Sequence, residues 1–262
     1  MSTTKRRRYP TDLTNSQWRF LSKFVPEPKP GPNPTIHRRR EIVNAILYKE
    51  RTGCSWRMLP TNLPPWSTVW DYFRKWRDTG LFERINDALR EHARLREGRH
   101  ATPSLAVVDS QSAKSANGGE AIGFDGNKRV HGRKRHIITD VLGLLIAVFV
   151  TAASVQDRDV IRELVHAAKA KSARLEKVLV DSAYNGDVVR DTIAETGIVI
   201  EVSNRDPGVK GFVPERKRWV VEQSFGCNTH RRQLAKEYDK TVASSEAWFI
   251  LGSVQRILAR VA

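Results

Sequence analysis

Cysteine is nearly absent from this chain of 262 residues: Cys54 and Cys227 are its two, far apart and in no CxxC pair. They offer neither a disulfide framework nor a zinc-ligand spacing, so the chain reads as intracellular. The N-terminus lacks an apolar signal core, and the longest apolar stretch, residues 141–153, is too short to span a bilayer. A membrane partner is therefore not expected. Acidic side chains are also scarce, with 29 Asp and Glu against 45 Lys and Arg, a net charge of +16. The excess is uneven: residues 1–99 hold 21 basic and 10 acidic side chains, and residues 100–262 hold 24 and 19. A polyanion is the natural partner of such a surface, because phosphate contacts release counterions and set baseline affinity.

Hydrophobic residues make up 40% of the chain, enough for a packed core. The first half reads as helices. A basic tail, Met1 to Arg8, is expected to be disordered, and Thr14 is placed to cap a helix through Trp18, Leu21 and Phe24 that Pro26 ends. Residues 26–34, with five prolines, read as an extended linker. A second helix is expected over residues 38–51, stopped by Gly53, then a short turn over 54–60. A third helix opens near Ser67 and ends at Gly80, and a fourth follows over 81–96. This order is the helix-turn-helix plan. The aromatic stripe of the third helix, Trp70, Phe73 and Trp76, is assigned to core. Arg38, Arg39, Arg40, Trp56, Arg57, Arg74, Lys75 and Arg77 are the candidates for DNA contact.

A polar break at residues 98–103 divides the chain into a basic helical head, 1–99, and a mixed α/β domain, 100–262. Strands are expected over 105–108, 178–180 and 198–202, with a hairpin over 136–139 and 144–150. Helices are expected over 157–171, 187–195, about 217–232 and 244–260.

Two of these buried strands end alike, Val107-Val108 in Asp109-Ser110 and Leu179-Val180 in Asp181-Ser182. A carboxylate at the carboxyl end of an apolar parallel strand sits at the mouth of the sheet. If the strands are neighbours, the two carboxylates share a crevice, and their repulsion favours a cation between them. Magnesium is the usual choice on phosphate substrates. A third carboxylate, Glu222, lies between Trp219 and Phe225 at three-residue spacing, which predicts that it projects along the packed side of its helix. Two basic clusters flank this centre: Lys128, Arg129, Arg133, Lys134 and Arg135, then Arg216 to Arg218 with His230, Arg231 and Arg232. From these, Lys128, Arg133, Lys134, Arg135, Arg218, His230, Arg231 and Arg232 are taken as DNA contacts.

Over residues 13–238 the sequence resembles the DDE transposases of bacterial insertion sequences, in the family numbered five. The likeness is carried by Arg51-Thr52-Gly53-Cys54-Ser55-Trp56-Arg57-Met58-Leu59-Pro60 in the head. In the second half it is carried by Val108-Asp109-Ser110-Gln111-Ser112, Gly132-Arg133-Lys134-Arg135-His136, Asp181-Ser182-Ala183-Tyr184 and Trp219-Val220-Val221-Glu222. The resemblance implies a ribonuclease H-like mixed sheet behind an all-α helix-turn-helix-type head. It implies that Asp109, Asp181 and Glu222 bind two Mg2+ ions, with Mn2+ as the substitute. The chemistry expected is cleavage at the terminal inverted repeats of a transposon and strand transfer into target DNA. Two ends handled together call for a homodimer or larger assembly on double-stranded DNA, in the bacterial cytoplasm at the nucleoid. A DNA-binding regulator and a nuclease that cuts without joining are the rival readings.

Overall fold

The computed structural model describes residues 6–27, 37–203 and 219–261. The linker expected at 26–34 lies outside them except for its first two residues.

The helical half forms because its punctuation is unambiguous. Thr14 caps α1 (Asn15–Leu21) in a capping box with Gln17, satisfying two orphan donors at once. Glycine in the left-handed conformation ends α2 (Arg39–Thr52) at Gly53, where φ is +65° and a Cβ would come within 3.0 Å of Arg232. A short turn, Trp56–Met58, leads into α3 (Trp66–Asp78), and α4 (Leu81–Arg96) follows directly. The basic tail is tied down at Arg6, which pairs with Asp12 at 2.8 Å and Glu41 at 2.7 Å. The expected disorder therefore does not hold at Arg6; Met1 to Lys5 lie outside the described residues.

The second half is a mixed sheet of six strands. They are β1 (Leu105–Lys114), β2 (Gly123–Asp125), β3 (Val130–Asp140), β4 (Leu145–Ala152), β5 (Lys177–Val180) and β6 (Val199–Val202). β2 and β4 pair with successive stretches of one edge of β3. β1 lies on the other edge of β3, antiparallel, and β5 and β6 follow β1 in parallel. Without the short β2, the strands run third, second, first, fourth, fifth across the sheet, the ribonuclease H-like arrangement. α5 (Ile161–Lys171) and α6 (Asp187–Thr196) join the parallel strands as crossovers.

Alternation along the strands splits the core in two. Ala106, Val108, Ile138, Val178 and Val180 face α5 and α6. Val107, Ile137, Val148 and Leu179 face the other way, into a cluster with α7 (Trp219–Thr229) and α8 (Val242–Val261) that continues through Leu89, Phe73 and Ile42 of the head. Trp248 of α8 is the hinge-pin of this contact: its indole stacks on Phe73 with ring centres 4.2 Å apart.

Two expectations change. β1 continues well beyond Val108, because β3 pairs with it as far as Lys114 and satisfies the backbone of the polar run. β3 begins at Val130, so residues 130–135 belong to the strand expected to start at His136.

Candidate active site

The parallel ladder between β1 and β5 sets Leu105 beside Lys177, Ala106 beside Val178 and Val107 beside Leu179. Carried two residues further, the same register brings Asp109 level with Asp181. Neighbouring strands lie about 4.8 Å apart, and level residues project from one face. Asp109 shares the face of Val107, Asp181 directly follows the last residue of β5, and both are half-buried. Each is oriented by its own backbone: Asp109 Oδ1 accepts from the Ser110 amide at 2.7 Å, and Asp181 Oδ1 from the Ala183 amide at 2.9 Å.

The helix carrying Glu222 packs over this face. Val220, Val221, Ser224, Phe225 and Asn228 of α7 are buried, and Ser224 Oγ donates to the Gly143 carbonyl at 2.9 Å. That stripe corrects the expected orientation of Glu222. The inward face is set by the paired valines, so Trp219 is 47% exposed and Glu222 is exposed beside it. Among the described residues, no three His, Cys, Asp or Glu side chains converge closely enough to hold a metal ion. The ladder thus runs towards Asp109 and Asp181 at the same end of two neighbouring strands, while Glu222 stands on the covering helix and is not gathered with them. Two level carboxylates are the hard oxygen donors that a divalent cation on a phosphate substrate prefers.

The basic residues divide sharply. Arg38, Arg57, Arg74, Lys75, Lys128, His230 and Arg232 are exposed. Lys128 also reaches the Ser110 carbonyl at 3.4 Å, one residue from Asp109. Arg39 lies over the Tyr72 ring at 4.2 Å, Arg40 donates to Asn15 Oδ1 at 2.9 Å, and Arg77 donates to Ser244 Oγ at 2.8 Å. Arg218 lies outside the described residues.

Five candidates are not at the surface. Arg133 and Arg135 are 0% and 1% exposed and pair with Glu237, and Lys134 binds Asp157 at 2.9 Å on the opposite face. Arg231 is buried against Glu50 at 2.7 Å. Trp56 is half-buried between Phe73 and Trp248, with Lys49 Nζ 4.9 Å from its ring. These side chains hold the fold; the charges of Arg133, Lys134, Arg135 and Arg231 meet internal carboxylates and carbonyls. The acid that answers Arg133 and Arg135 lies about a hundred residues away, out of reach of a local reading. A signal was present nonetheless, since Arg133, Arg135 and Ile137 alternate onto one face and Ile137 is core. Next to them His136, level with Ser110, is pushed down to about 4 by burial, with Lys134 and Lys128 adding to the effect and Asp157 opposing it. It is a neutral group near pH 7.

Residues 100–254, more than half of the chain, match the family described as Transposase DDE domain. The chain belongs to that family. Residues 13–86 match the family described for transposases of the IS4/5 family. Among curated proteins, the uncharacterized 16.2 kDa protein of insertion element IS402 from Burkholderia cepacia is 29% identical over 117 residues, covering 42% of this chain and 78% of that protein. The uncharacterized protein y4sN of Sinorhizobium fredii is 28% identical over 83 residues, covering 32% of this chain and 66% of the relative. Among solved structures, the Mos1 mariner paired end complex with Mn overlaps at a TM-score of 0.33 and 12% identity, covering 92% of this chain and 83% of that one. An overlap that loose carries no argument, and the fold rests on the sheet order itself. The chain is thus a DDE transposase of insertion-sequence type, an enzyme of the nuclease and transposase class whose family uses divalent metal. No helix among the described residues is long and apolar enough to cross a membrane.

Proposed function

We propose that Asp109, Asp181 and Glu222 together hold two divalent ions, Mg2+ or in its place Mn2+, at which the ends of an insertion element are cut and joined to target DNA. The observation that supports this most is the parallel register between β1 and β5, which runs towards Asp109 and Asp181 at the same end of neighbouring strands. Ions held there would supply activation of water and stabilisation of the departing 3′ oxygen. Asp109 and Asp181 contribute fixed carboxylates, held by the Ser110 and Ala183 amides before any substrate arrives. Glu222, on the solvent side of α7, adds the third carboxylate as that helix adjusts over bound DNA. Lys128, exposed beside Ser110, draws a backbone phosphate towards this crevice. Water attacks the phosphorus at the element end and the 3′ oxygen leaves as a hydroxyl. That 3′-OH then attacks a target phosphodiester, whose own 3′ oxygen departs.

In this reading residues 1–99 grip the terminal inverted repeat, residues 100–262 perform the chemistry, and two chains or more hold paired ends on nucleoid DNA in the bacterial cytoplasm. Of the exposed basic residues, Arg38, Arg57, Arg74, Lys75, Lys128, His230 and Arg232 carry the phosphate contacts.

The test is metal-dependent cleavage and joining of a duplex bearing the element's own end, comparing wild type with Asp181→Ala. Nicked and joined products that vanish in the variant, with end binding retained, support the reading. Cleavage that never yields joined product makes the chain a nuclease. Tight end binding without chemistry in either protein makes it a regulator.

A further inference from the structure

Helix α3 has two unlike faces. Val69, Phe73 and Trp76 turn inward and are buried. The other face carries Trp66, Trp70 and Arg74 at four-residue spacing, a single ridge along the helix. Both indoles are 39% exposed, which takes Trp70 out of the core where its stripe had placed it. Arg57 lies over Trp66 at 5.4 Å and Arg74 over Trp70 at 5.0 Å.

Large apolar side chains left in water in a row mark a contact surface. The partner of this ridge must accept indole and guanidinium together. The acid nearest on the helix, Asp71, is 3.8 Å from Arg74, and with Arg57 and Lys75 also exposed the patch stays positive. A duplex offers what both groups need: phosphates for the cations and, in the major groove, the 5-methyl group of thymine for the rings. Position on the helix agrees. In a helix-turn-helix the first residues of the recognition helix reach base edges, and Trp66 is the first residue of α3. Trp70 follows one turn on, about 6 Å along the axis, close to two base steps of roughly 3.4 Å each.

We propose that Trp66 and Trp70 are the sequence-reading residues of the head, making apolar contact with thymine methyl groups. Arg57 and Arg74, held in place by stacking on the indoles, take the flanking phosphates. This rests on the reading of the head as the part that binds DNA, and it goes further by dividing the labour between ring and cation.

The experiment uses the full chain in chelator, so that no cutting intervenes, and duplexes that the wild type selects from a random library. Trp66→Ala and Trp70→Ala are each expected to lose about tenfold or more on selected duplexes, with the salt slope unchanged. Arg74→Ala is expected to lose affinity on every duplex and to flatten the slope by about one. Replacing contacted thymines by uracil, which removes only the methyl, should weaken wild type several-fold and leave the Trp variants unmoved. The uracil arm needs no variant to fold, and flat wild-type binding across all thymine-to-uracil duplexes overturns the proposal. So does wild-type discrimination in both Trp variants. If those variants also sediment as smaller species than wild type without DNA, the ridge is instead an interface between copies. If the wild type selects no duplex at all, the head's DNA-binding role fails as well.

Discussion

A guanidinium inside a protein must be neutralised where it lies, and Arg133 and Arg135 show what that requires. Glu237 answers both, while Arg133 also donates to the carbonyls of Asp239 and Lys240 at 2.8 and 2.7 Å, and Arg135 to that of Leu234 at 2.8 Å. Glu237→Gln would leave two buried cations with no counter-charge. Breaking such a pair from one side costs about 3–5 kcal/mol, so denaturant unfolding should show a large loss for this variant. Replacing the exposed Lys128 by alanine should change stability by less than about 0.5 kcal/mol. Glu246 presents the opposite case, a carboxylate without a cation. Burial pushes its pKa up to about 7 from 4.5; the amide of Val150, which it accepts at 2.9 Å, pulls it down, and Glu83 adds repulsion. Between those two values the folded chain holds a proton that the unfolded chain releases. The stability tied to this group is therefore complete below the unfolded pKa and is lost as pH rises through about 7. Glu246→Gln keeps an acceptor for Val150 and removes the charge. Its unfolding free energy in urea titration should match wild type near about pH 5 and exceed it near about pH 8, by on the order of 1–3 kcal/mol.

At the scale of elements, what a short window of sequence contains was readable, and what depends on a distant partner was not. The caps of α1 and α2 were legible in Thr14 and Gly53 because capping is local chemistry. The repeated Val-Asp-Ser in β1 and just after β5 was legible for the same reason, and the two strands do pair in parallel. The length of β1 was not, because Ser110 to Lys114 are strand only through β3. The inward face of α7 was misjudged from two aromatics, where Val220 and Val221 set it. The contact of α8 with the head hangs on one side chain in a similar way. Trp248 is 1% exposed and reaches both Phe73 and Trp56. Trp248→Ala should cost about 3–5 kcal/mol in chemical unfolding. Because the cavity opens between head and α8, protease cleavage should rise in both parts together, whereas a loss confined to residues 1–99 would contradict the shared core.

Across the whole molecule, the same continuity bears on the proposed metal site. The cluster behind Asp109 and Asp181 runs through α7 and α8 into the head, so the covering helix is held by packing that includes the helical half. On this helix Glu222 faces water, and two level aspartates alone make a weak cradle. Mg2+ is ordinarily bound through one or two carboxylates plus substrate phosphates, keeping several waters, rather than in an all-protein cage. It follows that the free chain should bind Mn2+, used as a paramagnetic probe, only weakly, and that an end duplex should tighten the binding by tenfold or more. Electron paramagnetic resonance titration of free Mn2+ reads this without any cleavage. By linkage, Mn2+ should raise affinity for the duplex by the same factor in a non-cleaving, phosphorothioate-blocked substrate. Asp109→Asn should abolish the tightening, and Glu222→Gln should reduce it while leaving the weak binding of the free chain unchanged, because that binding belongs to the two aspartates. Equal Mn2+ affinity with and without DNA would mean that the site is complete in the protein alone, and that Glu222 reaches the aspartates without the duplex.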